Sequence, residues 1–487
     1  MLRKTKLQDE YPLAYNVFLL RYRMQKLLIL SALFLLSCSG KDKTVYFQPI
    51  SDQRTQAVQD SLLTGKTPDE SKASADCQTF IKALPEDYFH DFLEVPENWT
   101  QTGSPTIKVF YYGRITPGKD VVLFHNGGPA SDSHGSYQGL AEQTHYNEFS
   151  FIFMDQRGTG CSTPFPEDFS IEGVARLLQY GSRAIVLDSE ALRKKLLPTG
   201  KTWKVFGQSF GGRIVQRYLQ IAPEGLTSAH AHGLSVMSDD YQWVAARLLS
   251  QHRVFQDYIK IYPKDEAKIF KLRAQIPDDQ CFVSGDTSVC GSRVVDSLII
   301  ALGFKSSWGG LHLRLSGLID QNDHLNSYSL NQLVQDYVFG IFAHNYAAGT
   351  IITWADFFTD QPDLQFCDRP LEILREKGEH PETWALNECR LLADIHNSKW
   401  DPLMLEFLKT HKGYADPIPL AKIKENLQRY PKLNFFLYSG QADVFVPLET
   451  FEEEINFLAP LVHYTNFPNS GHEGFLTEEK VWQELAN

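Results

Sequence analysis

Residues 203–215 read WKVFGQSFGGRIV: an apolar run, a serine set among glycines, then a second apolar run. The first run has the composition of a strand, and the second opens RIVQRYLQIA, whose apolar positions recur at helical spacing. A chain turns from strand to helix within one residue only through a strained backbone, and Gly207 and Gly211 remove side chains that would crowd such a turn. The turn lifts the Ser209 hydroxyl out of the sheet edge. The new helix also points its N-terminal N–H groups at that spot, where developing negative charge is favoured. The stretch therefore predicts a serine presented as a nucleophile.

Working outward, TIKVFYYG, DVVLFHN and FSFIFMD between residues 106 and 155 are short β-rich runs closed by glycine or polar turns. SRAIVLDSEALRKKLL follows with helical periodicity, and SAHAHGL reads as a strand after the serine segment. Strands alternating with helices predict a mostly parallel sheet covered on both faces, an α/β fold. From about residue 236 the pattern turns helical for nearly two hundred residues, as in YQWVAARLLSQHRVFQDYIKIY, and strand signals return at LNFFLYSG and LVHYTNFP. The expected organisation is a core in two parts, residues 104–235 and 426–487, interrupted by a helical cap at 236–425.

A serine hydroxyl needs a base, and the base needs an orienting carboxylate. Asp443 follows the strand LNFFLYSG and His472 follows LVHYTNFP, in the chain order Ser, Asp, His, with Gly440 and Gly471 expected to supply the turns. Taken singly, Asp443 also reads as a loop-capping aspartate and His472 as an exposed loop histidine. An oxyanion needs two backbone donors: the N–H of Phe210, next after the serine, and one from the loop His125-Asn126-Gly127-Gly128-Pro129, for which Gly128 is the candidate. A plain Gly-Pro turn is the alternative there.

Three motifs together, HNGGP, DQRGTGCST at 155–163 and GQSFGG at 207–212, resemble the prolyl aminopeptidase and tripeptidyl aminopeptidase family of α/β-hydrolases. The resemblance covers roughly residues 104–235 and 433–475 and is weak in the insertion. It implies an α/β-hydrolase fold and a serine exopeptidase that acts on short peptides with free N-termini. It carries over Ser209, Asp443 and His472 as the catalytic residues and Gly128 and Phe210 as oxyanion donors. Two departures stand out. The family loop HGGPG here has Asn126 before the glycine pair and Ala130 after the proline, and Cys161 stands where the family places arginine. In relatives the cap supplies acidic residues for the substrate α-ammonium, and Asp356 in TIITWADFF resembles that position. A helix-surface aspartate is the competing reading for it, and Trp354, Phe357 and Phe358 read as core. No cofactor is implied. An esterase using the same three residues and a non-catalytic binding lipoprotein on the same scaffold are the alternatives.

The remaining composition narrows the setting. The 487 residues carry a net charge of −12 with scattered basic residues, which excludes the clustered basic face of a nucleic-acid binder. MQKLLILSALFLLSCSG, from Met24, has Lys26, then an apolar run too short to span a bilayer comfortably, then small residues. Leu35-Leu36-Ser37-Cys38 resembles the lipobox of bacterial lipoproteins. The expected signal segment is 1–37 with its start at Met24. Cys38 would be lipidated, and a polar tether and N-terminal extension would cover 38–103. The protein would then be exported and held to a bacterial membrane through the lipid alone, with an uncleaved signal anchor as the alternative. Removing Cys38 from seven cysteines leaves an even six, which in an exported chain reads as disulfides. Cys281 with Cys290 bracket a hairpin-like turn, Cys367 with Cys389 form a second candidate pair, and Cys77 with Cys161 follow by elimination. Their spacing matches no metal site.

Overall fold

Alternate residues of the predicted strands pack into two different apolar layers. Val109, Leu123, Ile152, Val205 and Leu437 join one core cluster, while Phe110, Phe124, Phe153, Phe206 and Tyr438 join the other. A strand buried on both faces has this near-continuous apolar composition because neither face meets water. One layer is largely aliphatic and the other strongly aromatic. Fully burying each such side chain contributes about 1.5–3 kcal/mol.

The computed structural model describes residues 75–233 apart from 167 and 169, 240–291 apart from 278, 285 and 286, and 302–318. It also describes 325–334, 368–376, 418–447 and 452–487, with isolated positions between these segments. Strands β1 (Phe89–Pro96), β2 (Thr106–Gly113), β3 (Val121–His125), β4 (Ser150–Met154), β5 (Trp203–Gln208) and β6 (Leu226–His232) come first. A small antiparallel sheet follows, from β7 (Cys281–Ser284), β8 (Thr287–Cys290) and β9 (His396–Asn397). The chain then returns to the main sheet with β10 (Asn434–Gly440) and β11 (Val462–Phe467). The main sheet has eight strands in the order β1-β2-β4-β3-β5-β6-β10-β11. The pairs β1/β2 and β2/β4 are antiparallel and all others parallel.

The sheet begins earlier than expected. FHDFLEVP forms β1 inside the stretch assigned to the N-terminal extension, because His90, Asp91 and Glu94 on an edge strand hide its alternation. Helix α1 (Ala75–Ala83) precedes it, and a disulfide from Cys77 to Cys161 ties that helix to the DQRGTGC segment. A second disulfide joins Cys281 to Cys290, which face each other in the β7/β8 hairpin. Both bonds are what an oxidising, exported setting permits. Cys38, Cys367 and Cys389, and the signal and tether segments through residue 74, lie outside the described residues. Among the described residues no helix is long and apolar enough to cross a membrane.

Helix α2 (Ser182–Leu196) and helix α3 (Phe210–Ile221) pack together on the sheet. Between β6 and β10 the described elements are mainly helical, led by α4 (Asp240–Ile261), α5 (Pro263–Gln275) and α6 (Trp308–Ser316). The sheet is the mostly parallel α/β architecture expected, and these helices interrupt it between two neighbouring strands.

Candidate active site

Ser209 stands between β5 and α3 at φ 60° and ψ −120°, a left-handed conformation that costs a non-glycine residue about 1–3 kcal/mol. Its surroundings hold it there. Its N–H donates to the His232 carbonyl at 2.7 Å, and its carbonyl accepts from Gly212 at 2.7 Å. A Cβ on Gly207 would lie 2.0 Å from the Gly211 carbonyl oxygen, and one on Gly211 would lie 2.0 Å from that of His125. The glycines are therefore required by close approach, and the second of them seats the HNGGP loop directly on the start of α3.

Asp443 follows β10 and His472 follows β11. Asp443 Oδ2 lies 2.7 Å from His472 Nδ1, while Oδ1 accepts the N–H groups of Phe445 at 2.8 Å and Val446 at 2.9 Å. Burial opposes the charge on Asp443. The His472 ring and the Val446 N–H more than offset this, and the carboxyl titrates below its ordinary value. His472 Nε2 is buried without a hydrogen-bond partner among the described residues. A Cβ on Gly233 would sit 3.4 Å from His472 Cε1 and 3.5 Å from Ser209 Cα, so the imidazole and the serine backbone flank one point. Gln208 Nε2 also donates to the His472 carbonyl at 3.3 Å. Asp443 and His472 are thus in direct contact, and the His472 ring and the Ser209 backbone lie on either side of Gly233.

Gly440 and Gly471 open the expected turns, their carbonyls accepting the N–H groups of Asp443 at 3.1 Å and Gly474 at 3.2 Å, but it is close approach and not backbone conformation that requires glycine there. Neither has positive φ; a Cβ on Gly440 would lie 2.2 Å from the Gly471 carbonyl, and one on Gly471 would lie 2.1 Å from that of Gly303. The two loops pack backbone on backbone. Residues of the insertion close over them: His472 N–H donates to the Gly303 carbonyl at 2.8 Å, Ser306 N–H donates to Glu473 Oε1 at 2.9 Å, and Phe304 flanks the imidazole, which Phe445 of the core flanks as well. Burial pushes the Glu473 carboxyl above its ordinary value. Nothing in ALGFKSSWGG signals this contact from sequence. His232 is another residue that pattern reading passes over. It is buried behind His472 with ring centroids 6.1 Å apart, and burial, with the His472 charge, pushes it down to about 3.

In the HNGGP loop Gly128 has φ 121° and precedes a cis peptide to Pro129, and Ala130 has φ 66°. Among the described residues the Gly128 N–H has no acceptor. Phe210, next after Ser209, opens α3 and is buried.

Asp356 has different surroundings from those expected of an ammonium ligand. Its Oδ2 accepts the Ser182 N–H at 2.8 Å and its Oδ1 the Ser182 hydroxyl at 3.1 Å, so it caps α2. Arg217 lies 3.9 Å away, and Arg213 donates to its backbone carbonyl. Burial raises its carboxyl above the ordinary value despite both arginines. Its oxygens are spent on joining the insertion to the core. His134, Asp155 and Cys161 offer metal-ligand atoms close together. The Cys161 sulfur, however, is bonded to Cys77, and Asp155 accepts from Ser133, His134 and the Cys161 N–H.

Residues 120–263 match the family model for the α/β hydrolase fold. The chain is similar to a proline iminopeptidase from Aeromonas sobria, 33% identical over 112 residues, covering 22% of this chain and 25% of that one. It is also similar to a proline iminopeptidase from Xylella fastidiosa, 32% identical over 120 residues, covering 25% and 34%. The matches thus span about a quarter to a third of these curated relatives. A solved proline iminopeptidase-related protein from Thermus thermophilus aligns with 81% of this chain and 95% of its own, at 15% identity and a TM-score of 0.35. The chain carries an α/β-hydrolase fold.

Proposed function

We propose that the protein is a serine hydrolase that releases residues from the free N-termini of short peptides through an acyl-enzyme on Ser209. The observation that carries the serine chemistry is the 2.7 Å contact from Asp443 to His472 Nδ1, with the opposite ring nitrogen lacking a hydrogen-bond partner among the described residues and the ring and the serine backbone both flanking Gly233. A carboxylate on Nδ1 fixes the proton there, which leaves Nε2 as the basic nitrogen. His472 takes the Ser209 proton as Oγ attacks the scissile carbonyl and returns it to the leaving amine. Water then attacks the ester with the same base. The N–H groups of Gly128 and Phe210 bind the oxyanion, each worth about 10²–10³ in rate. No cofactor is needed for these steps.

The peptide substrate is supported by the proline iminopeptidase relatives and by the three motifs. A second reading, an esterase, is favoured by one observation: both Asp356 oxygens are bonded within the protein, so the expected ligand for a substrate ammonium is engaged elsewhere. Rates on amino-terminal proline naphthylamide, on unblocked and N-acetylated tripeptides and on p-nitrophenyl acetate separate the two. Turnover that collapses on acetylation supports the exopeptidase; equal rates on blocked and unblocked peptides, or activity on the ester alone, overturn it. Ser209→Ala must abolish every activity. If a fluorophosphonate fails to label the intact protein, the scaffold is a binding lipoprotein and the hydrolase reading falls.

A further inference from the structure

Gln156 sits in the DQRGTG motif and is 2% exposed. Its amide reaches into the HNGGP loop at three points. Nε2 donates to the carbonyls of Asn126 at 3.1 Å and Gly127 at 2.8 Å, and Oε1 accepts the Ala130 N–H at 3.0 Å. In a trans peptide the C=O and N–H lie in one plane and point in opposite directions within it. Holding the Gly127 carbonyl against Gln156 therefore turns the Gly128 N–H away from it. The preceding peptide is held in the same sense through the Asn126 carbonyl. Two consecutive glycines leave little else to resist rotation of that plane. A reversed plane would present a carbonyl where a negative oxygen has to bind. We propose that Gln156 is a positioning residue for the oxyanion donor at Gly128, resting on the hydrolase reading above.

The neighbours of Gln156 make it a fixed post. Asp155 accepts Ser133 N–H at 2.9 Å and Cys161 N–H at 2.9 Å, holding both the far end of the loop and the disulfide. Arg157 makes a two-pronged pair with Asp188, at 2.8 and 2.7 Å, and donates to the carbonyls of Pro96, Glu97 and Gln179. Asp155 and Arg157 anchor the segment, and Gln156 turns its side chain to the carbonyls of residues 126 and 127.

The test uses the full-length protein with Gln156→Glu, which keeps shape and the acceptor for Ala130 but loses the donor, and Gln156→Met, which keeps length and loses both. Expected is a fall in kcat of about 10²-fold in both, comparable to removing one oxyanion donor, with KM changed by less than about threefold and fluorophosphonate labelling slowed in proportion to kcat. A purely structural role would instead lower the thermal midpoint and leave kcat per folded molecule unchanged; that result overturns the proposal. A structure of the wild-type protein phosphonylated on Ser209 gives a check independent of variant folding. The phosphoryl oxygen is expected within hydrogen-bond reach of Gly128 N–H while Gln156 still holds the Gly127 carbonyl; a reversed 127–128 peptide refutes it. If Ser209→Ala stays active, the underlying hydrolase reading fails. If Ser209→Ala is inactive and both Gln156 variants keep full kcat, only the present inference fails.

Discussion

Three histidines of the sheet, His125, His230 and His232, are buried and pushed by that burial to about 3. Each stays neutral in the folded protein under conditions where an exposed histidine, near 6.5, takes up a proton. A base depressed in this way contributes stability that is intact above 6.5 and is lost as pH falls toward its folded value. For one histidine, the loss between pH 7.5 and pH 5 is about 2 kcal/mol by proton linkage. Three together give about 6 kcal/mol, a large share of a typical 5–15 kcal/mol stability. Asp356 and Glu473, raised by burial, act in the opposite sense, so the test isolates one histidine. His230 suits it: its nitrogens lie 3.0 Å from the Tyr438 hydroxyl and 2.8 Å from Ser228 Oγ, and its ring stacks on Phe436. His230→Gln removes the titration and weakens the fold at every pH through lost packing. Urea unfolding of both proteins at pH 7.5 and pH 5 should therefore show the stability gap narrowing by about 2 kcal/mol at pH 5. A gap that does not change with pH refutes the claim that burial holds this ring neutral.

Asp443→Asn removes the charge that holds the proton on His472 Nδ1, and kcat should fall by about 10³–10⁴-fold while the folded structure persists; steady-state rates with circular dichroism check both. The disulfide between Cys77 and Cys161 closes a separation of 84 residues and that between Cys281 and Cys290 one of 9. By loop-closure entropy, paired serine substitutions should cost about 4.6 kcal/mol for the first and about 2.7 kcal/mol for the second. Denaturant unfolding of the two double variants tests the order. Ala130 at φ 66° carries a left-handed penalty of about 1–2 kcal/mol, partly balanced in glycine by about 0.5–1 kcal/mol of chain entropy. Ala130→Gly should therefore hold or raise the thermal midpoint, and a drop of more than a few degrees would count against strain at this position.

What pattern reading recovers and what it misses divide along a physical line. The strands, the turn at Ser209 and the order of Asp443 and His472 are legible because each is encoded locally: an apolar run, a glycine pair, a polar residue at the run's end. The surroundings of Asp356 are not, because its partner, Ser182, is 174 residues away, and an aspartate among aromatics reads the same whether it caps a helix or binds a ligand. The Gly303 and Ser306 contacts to the histidine loop are invisible for the same reason, since a backbone carbonyl or N–H leaves no mark in the residue type. β1 escapes notice because an edge strand tolerates charges on its open side. Gln156 is the intermediate case: its motif is conspicuous, yet its three bonds go to main-chain atoms of another loop. The three expected groups follow strands β5, β10 and β11, whereas the residues that hold their loops come from the insertion and from the segment after β4. Chemistry at this sheet edge is therefore readable from single stretches of chain, and the precision of its geometry depends on contacts between stretches that sequence keeps far apart.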